Sequence, residues 1–169
     1  MSRTMAPMTG SRGARAKGLD IRGLVGSGDR IGLLVAPFLV VGIALNVWRP
    51  AVFAVAGSPA WLRVVSMVAL VPGVVIWLWS VVLILTRVPR GELITGGPFA
   101  FVKHPLYTGV SLLVLPFAGF LLNTWLGAVL GIVIYVGSRL YAPAEERKLA
   151  EEFGPQWDAY AAKVMLPWL

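Results

Sequence analysis

Two short segments of this chain hold side chains that could recognise charge together. The first reads Gly96-Gly97-Pro98-Phe99-Ala100-Phe101-Val102-Lys103-His104-Pro105-Leu106-Tyr107-Thr108-Gly109. Gly-Gly-Pro sets a turn whose unpaired N–H groups can approach a ligand closely. Pro105 fits the first turn of a helix, where its missing donor costs nothing. His104 then stands at the cap, and Tyr107 lies one turn further in. The free N–H groups of a helix start favour an anion such as a carboxylate. The second segment reads Glu145-Glu146-Arg147-Lys148-Leu149-Ala150-Glu151-Glu152-Phe153-Gly154-Pro155-Gln156-Trp157-Asp158-Ala159-Tyr160. Leu149 and Phe153 share a helix face, Gly154-Pro155 stops that helix, and Trp157 and Tyr160 are three apart on the next turn. Each segment also has a plainer reading. His104 could be only a cap, Tyr107 an interfacial anchor, and the charge run a solvated face with i, i+4 pairs.

The elements that position these segments are apolar. The chain has 169 residues, 57% of them hydrophobic and 14% charged, against a soluble norm of roughly half and a quarter. One domain of this length has no core able to hide the excess, so lipid is the expected solvent. The net charge of +7 sits beside apolar runs instead of forming a stripe, which favours lipid headgroups over nucleic acid as counter-charge. With no cysteine and one histidine, disulfides, thiolate sites, a cysteine nucleophile and a His-rich metal site are excluded, and no metal is expected.

A membrane helix needs about 20 mostly apolar residues. Four such stretches are expected, at about 31–48, 61–86, 106–122 and 125–142. Pro72-Gly73 predicts a kink in the second. Asn123-Thr124 leaves room only for a tight turn, so the last two spans form an antiparallel hairpin. Gly127 and Gly131 predict a close packing face on the fourth. The fold class is therefore an all-α, polytopic membrane bundle of four transmembrane helices with a cytosolic C-terminal amphipathic helix. Residues 1–28 are expected to be a disordered basic tail. Residues 29–169 form the domain, and 143–169 its cytosolic tail, which could fold back on the membrane surface.

Charge sets the orientation. Four spans put both termini and the loop 87–104 on one side, and thirteen of the Lys and Arg residues fall there, against Arg49 and Arg63 opposite. Lys and Arg accumulate on the cytosolic side, which places both termini in the cytosol and the chain in the inner (cytoplasmic) membrane. Every carboxylate and His104 fall on the same side, so charge recognition should face the cytosol. Glu145 and Glu146 leave the fourth span where His104 begins the third, and the tight turn makes those spans neighbours. The two segments should meet.

Together they resemble the membrane methyltransferases that include isoprenylcysteine carboxyl methyltransferase and phospholipid N-methyltransferases. That family carries Gly-Pro-(aromatic)-x-(aromatic)-x-Arg-His-Pro-x-Tyr-x-Gly, a helical hairpin, then Glu-Glu-x-x-Leu-x-x-x-Phe-Gly-x-x-Tyr-x-x-Tyr. The likeness covers about 96–169, with Lys103 where the family has arginine and Trp157 where it has the first tyrosine. The resemblance implies S-adenosylmethionine held in a cytosolic pocket under the C-terminal tail. Gly97, Pro98, Lys103, His104 and Tyr107 would bind from one side, and Glu145 and Glu146 from the other. Glutamates suit the cofactor's ammonium, and N–H donors with Lys103 or Arg139 suit its carboxylate. It further implies methyl transfer to oxygen or nitrogen of a lipophilic acceptor (lipid, prenyl or isoprenoid-type) taken from the membrane lipids. The protein would mainly align nucleophile, methyl carbon and sulfur; a carboxylate acceptor would need no general base, an amine only if it arrives protonated, and no catalytic residue is assigned. A soluble methyltransferase fold is not expected, since no strand–Gly-x-Gly–helix unit appears. Two other readings remain: a non-enzymatic small membrane subunit or binding protein, and a sterol-reductase-like oxidoreductase, whose chains are longer.

Overall fold

Long apolar runs satisfy their own backbone only as helices, and the computed structural model of the chain follows that rule. It describes residues 26–55 and 59–166. Helix α1 is Gly26–Trp48, and one helical turn follows at Pro50–Phe53. Helix α2 is Ala60–Arg87. Helix α3, Pro105–Leu121, contains a π turn at Val110–Val114. Helix α4 is Leu126–Phe153, and the short α5 is Pro155–Ala161. Among the described residues there is no strand, only an isolated bridge between Ala54 and Thr124. The fold is all-α.

Three helices are long and apolar enough to cross a bilayer: α1 from Gly28, α2 and α4. The chain is an integral membrane protein. Helix α3 is shorter, at 17 residues. At about 1.5 Å per residue it reaches roughly 25 Å, against a hydrocarbon core of about 30 Å.

The helices pack in the order α1 on α4, α4 on α3, and α3 on α2. Small residues set the approach. A Cβ on Gly127 would strike the Leu115 carbonyl, and one on Gly131 the Ser111 carbonyl. Gly119 and Gly127 face each other across the hairpin, so that a Cβ on Gly119 would lie 2.9 Å from the Gly127 Cα. The expected packing face is thus the α3–α4 seam. Helix α2 buries Ser66, Gly73 and Ser80 at seven-residue spacing, and Gly73 admits the Leu113 side chain. It runs unbroken through Pro72. Its other faces, like those of α1, leave large apolar side chains open, Leu33, Val40 and Val68 among them, as a lipid-facing surface requires.

The tight turn is built as the sequence suggests. Asn123 takes a left-handed φ of 57°, which asparagine tolerates, and the Thr124 N–H returns to the Gly119 carbonyl at 2.8 Å. Two boundaries differ from expectation. Helix α1 begins at Gly26, inside the predicted tail; the rest of that tail, 1–25, lies outside the described residues. More consequential, α4 does not stop at Ala142. It continues through Pro143 to Phe153, because the residues after Pro143 are strong helix formers and offset the lost donor and the crowding of the preceding turn. The first part of the expected amphipathic segment is therefore a prolongation of α4, about 42 Å long in all against a hydrocarbon core of about 30 Å. Gly154, at φ 49°, then turns the chain sharply into α5, as Gly154-Pro155 predicts.

Candidate functional site

The loop ahead of α3 is held down before it is functional. Gly97 adopts φ +62°, and a Cβ there would press on the Trp79 ring at 3.1 Å. Pro98 is buried in the turn Gly97–Ala100, and its carbonyl accepts from the Phe101 and Val102 N–H groups. Both residues shape the loop and seat it on α2. Neither lines the cavity described below.

His104 occupies the N-cap position of α3 but makes no capping bond with its side chain. Its imidazole Nε2 instead lies 3.3 Å from Glu146 Oε1. Lys103 Nζ donates to Glu146 Oε2 at 2.8 Å. A carboxylate only accepts, so Nε2 carries the hydrogen. The cap reading of His104 thus fails for its side chain. Lys103 and His104 are shielded, with side chains 14% and 12% exposed. The hydrogen bond from His104, together with the bond and charge of Lys103, outweighs the cost of burial. It holds the Glu146 carboxyl down from 4.5 to about 2.

Helix α5 closes the site from below. Trp157, Tyr160 and Val164 form a buried cluster against Leu93, Leu149 and Phe153. Trp157 and Tyr160 meet edge to face at 5.5 Å. Lys103 Nζ sits 5.9 Å from the Trp157 ring centroid, within cation–π range. The Tyr160 hydroxyl donates to the Phe99 carbonyl at 2.8 Å. Burial, with the Glu146 charge adding to it, pushes that phenol up to about 12, so it remains a donor. Beyond α5, the Leu166 N–H donates to the Phe101 carbonyl at 2.9 Å. The apolar face of α5 thus packs on the loop and on the last turns of α4.

Between these parts lies a cavity of about 280 Å³. Its walls are mainly apolar: Ile84, Val88, Leu93, Leu106, Leu149 and Phe153. Its polar side chains are Glu92, Lys103, His104, Tyr107, Glu145 and Tyr160. Four of the eight candidates from the sequence therefore share it: Lys103, His104, Tyr107 and Glu145. Glu146 stands behind, bonded to two of them. Arg139 is exposed on α4 and does not line the cavity. Tyr107 is a wall residue and not simply an interfacial anchor.

Sequence reasoning missed Glu92. It enters the cavity wall from the connection between α2 and α3, after Gly91 turns with φ 70°, and pairs with Arg87 at 2.8 Å. The available signal was its isolation: it is the only carboxylate between Asp29 and Glu145. Among the described residues no cluster of three or more metal-ligating side chains forms.

The lining thus combines the Glu92 and Glu145 carboxylates and the Lys103 ammonium with apolar walls. With this geometry in place, comparison adds one finding. The sequence profile of the isoprenylcysteine carboxyl methyltransferase (ICMT) family matches residues 51–151, well over half of the chain. No curated protein and no solved structure matches.

Proposed function

The chain belongs to the isoprenylcysteine carboxyl methyltransferase family, and from that premise we propose that it uses S-adenosylmethionine to methylate a lipophilic acceptor at the cytosolic membrane face. The observation that carries this reading is convergence: Lys103, His104 and Tyr107, from one arm of the hairpin, and Glu145, from the other, line one cavity. Family membership makes it a membrane methyltransferase. The cofactor, the face and the acceptor are the proposal.

When bound, S-adenosylmethionine supplies a methyl group activated on a sulfonium. The chain's task is placement, and alignment alone can lower a barrier by several kcal/mol. Glu145 suits the cofactor's ammonium, and Lys103 with the N–H groups at the start of α3 suits its carboxylate. Leu149, Phe153 and Trp157, apolar parts of the lining, would help to exclude water from the bound cofactor. Glu92, paired with Arg87, adds a second carboxylate to the lining.

The length of α3 fits the same picture. We take it as the fourth span, paired to α4 through the glycine seam, with its N-terminus about one turn short of the inner headgroups. A cavity there would sit where an amphiphile carries its polar end, while Ile84, Val88 and Leu106 meet its apolar part. The charge distribution, with Glu92, Lys103, His104 and Glu145 at the cation-rich end, supports a cytosolic opening. Arg139, exposed near the end of the apolar stretch, suits lipid phosphates by snorkelling.

The test is a radiolabel methyl-transfer assay of the detergent-solubilised chain on a total membrane lipid extract, followed by identification of the labelled product. Labelled lipid with binding of S-adenosylmethionine and none of NADPH supports the reading. A chain that binds neither is a scaffold, and one that binds only NADPH is an oxidoreductase.

A further inference from the structure

Adjacent glutamates on a helix point about 100° apart, and the paired acids Glu145 and Glu146 face different things. Glu145 reaches the cavity wall; Glu146 does not. Each Glu146 oxygen is already engaged, Oε2 by Lys103 Nζ at 2.8 Å and Oε1 by His104 Nε2 at 3.3 Å. Lys103 and His104 are consecutive, and both do line the cavity.

We infer that Glu146 is a positioning residue: its carboxylate bridges Lys103 and His104 from behind and fixes both toward the cavity, while Glu145 makes the direct contact with bound ligand. This rests on the cofactor reading above. Three features carry it. The bridge is two-point, so it sets orientation as well as distance. Lys103, which has four rotatable bonds, is held from a second direction by the Trp157 ring at 5.9 Å, which is itself buried. The loop bearing both residues is tied to α5 by the bond from Tyr160 to Phe99. Bonds from two sides fix the loop, and Glu146 is the one that reaches across from α4. A carboxylate committed in this way keeps its charge, as its low pKa of about 2 requires.

Two measurements decide it. The first uses the unliganded chain and does not depend on any cofactor. His104 is the only histidine, so the ring ¹⁵N resonances of histidine-labelled protein in micelles belong to it alone. Glu146→Gln should move the Nε2 resonance; an unchanged resonance overturns the clamp. The second compares affinity for S-adenosylhomocysteine with that for its deaminated analogue, which lacks the ammonium. Glu145→Gln should weaken the first about tenfold and leave the second nearly as it was, as expected for loss of a charge-assisted contact. Glu146→Gln should weaken both by the same factor, since it acts through its neighbours. If Glu146→Gln discriminates between the two as Glu145→Gln does, Glu146 touches ligand and the inference is wrong. Should Glu146→Gln not fold, Glu146→Asp, with its carboxylate drawn back by one methylene, carries both comparisons. A wild-type chain that binds neither ligand defeats the cofactor reading, and the resonance measurement then still decides the clamp.

Discussion

At the end of the bundle where α3 turns into α4, main-chain groups make most of the joints. The Val55 N–H meets the Asn123 carbonyl at 3.4 Å and the Trp125 N–H meets the Phe53 carbonyl at 2.8 Å. One side-chain bond, Thr124 to Asn46 at 3.0 Å, ties in α1. At the opposite end main-chain bonds such as Leu166 to Phe101 are joined by side-chain ones, ionic, cation–π and hydrogen-bonded: Lys103 and His104 to Glu146, Lys103 over Trp157, Tyr160 to Phe99. Main-chain joints are available to almost any sequence and carry no charge to offer a ligand. Side-chain joints depend on identity, and they leave a cavity with charged walls. The first end is built to hold the hairpin, the second to hold something else.

That contrast can be broken most severely at the seam on which both ends depend. Gly127→Leu puts a side chain onto the Leu115 carbonyl. It should cost about 3 kcal/mol or more, read as loss of a monodisperse folded peak in detergent. Next, His104→Ala removes a cavity wall and one arm of the bridge. Cofactor affinity measured by calorimetry should fall about tenfold or more, and the melting temperature should fall as well, since the bond to Glu146 is lost. If affinity is retained, the site is misassigned. Tyr160→Phe leaves the Phe99 carbonyl without its donor and should cost about 1 kcal/mol, with a smaller fall in affinity. The matched change at the other end, Thr124→Val, should cost a similar amount in thermal stability yet leave methyl transfer per folded molecule unchanged; a fall in transfer would erase the distinction between the ends.

The smallest effect is in pH. Because the Glu146 carboxyl is lowered from 4.5 to about 2 in the folded chain, the unfolded chain binds more protons between those values. The stability it contributes is therefore full above about pH 4.5 and is lost as pH falls toward 2. Melting temperatures of wild type and Glu146→Gln, followed from pH 6 to 3, should converge on the acid side. Parallel curves would mean that the bridge does not form. The Tyr160 phenol works in the other direction. Raised to about 12, it keeps its bond through neutral pH, and its contribution is lost only as pH climbs from 10 toward 12.

Much of the site was legible before the structure. The hairpin followed from Asn123-Thr124, because a two-residue turn allows only antiparallel neighbours. Gly127 and Gly131 announced the seam. Pro105 placed His104 and Tyr107, and these with Glu145 and Lys103 do share one cavity. Gly97 and Pro98 belong to the right loop, but their backbone serves its shape. Glu92 was passed over because it stands in a connection with no periodic pattern to place it. Helix α4 outran its predicted span because the apolar run ends near Ala142 while the helix-forming residues beyond Pro143 carry the helix on.

The sequence alone determined the solvent, the class of fold and which segments meet, because lipid forces helices on apolar runs and a tight turn fixes adjacency. These are local constraints. What it left undecided was facing. Glu145 and Glu146 are interchangeable on paper; the rotation of α4 against α3, set where Gly119, Gly127 and Gly131 let the backbones touch, turns one acid into the cavity and the other onto Lys103 and His104. The same rotation leaves Arg139 outside. Such a choice belongs to the packing of two helices, and no single segment contains it.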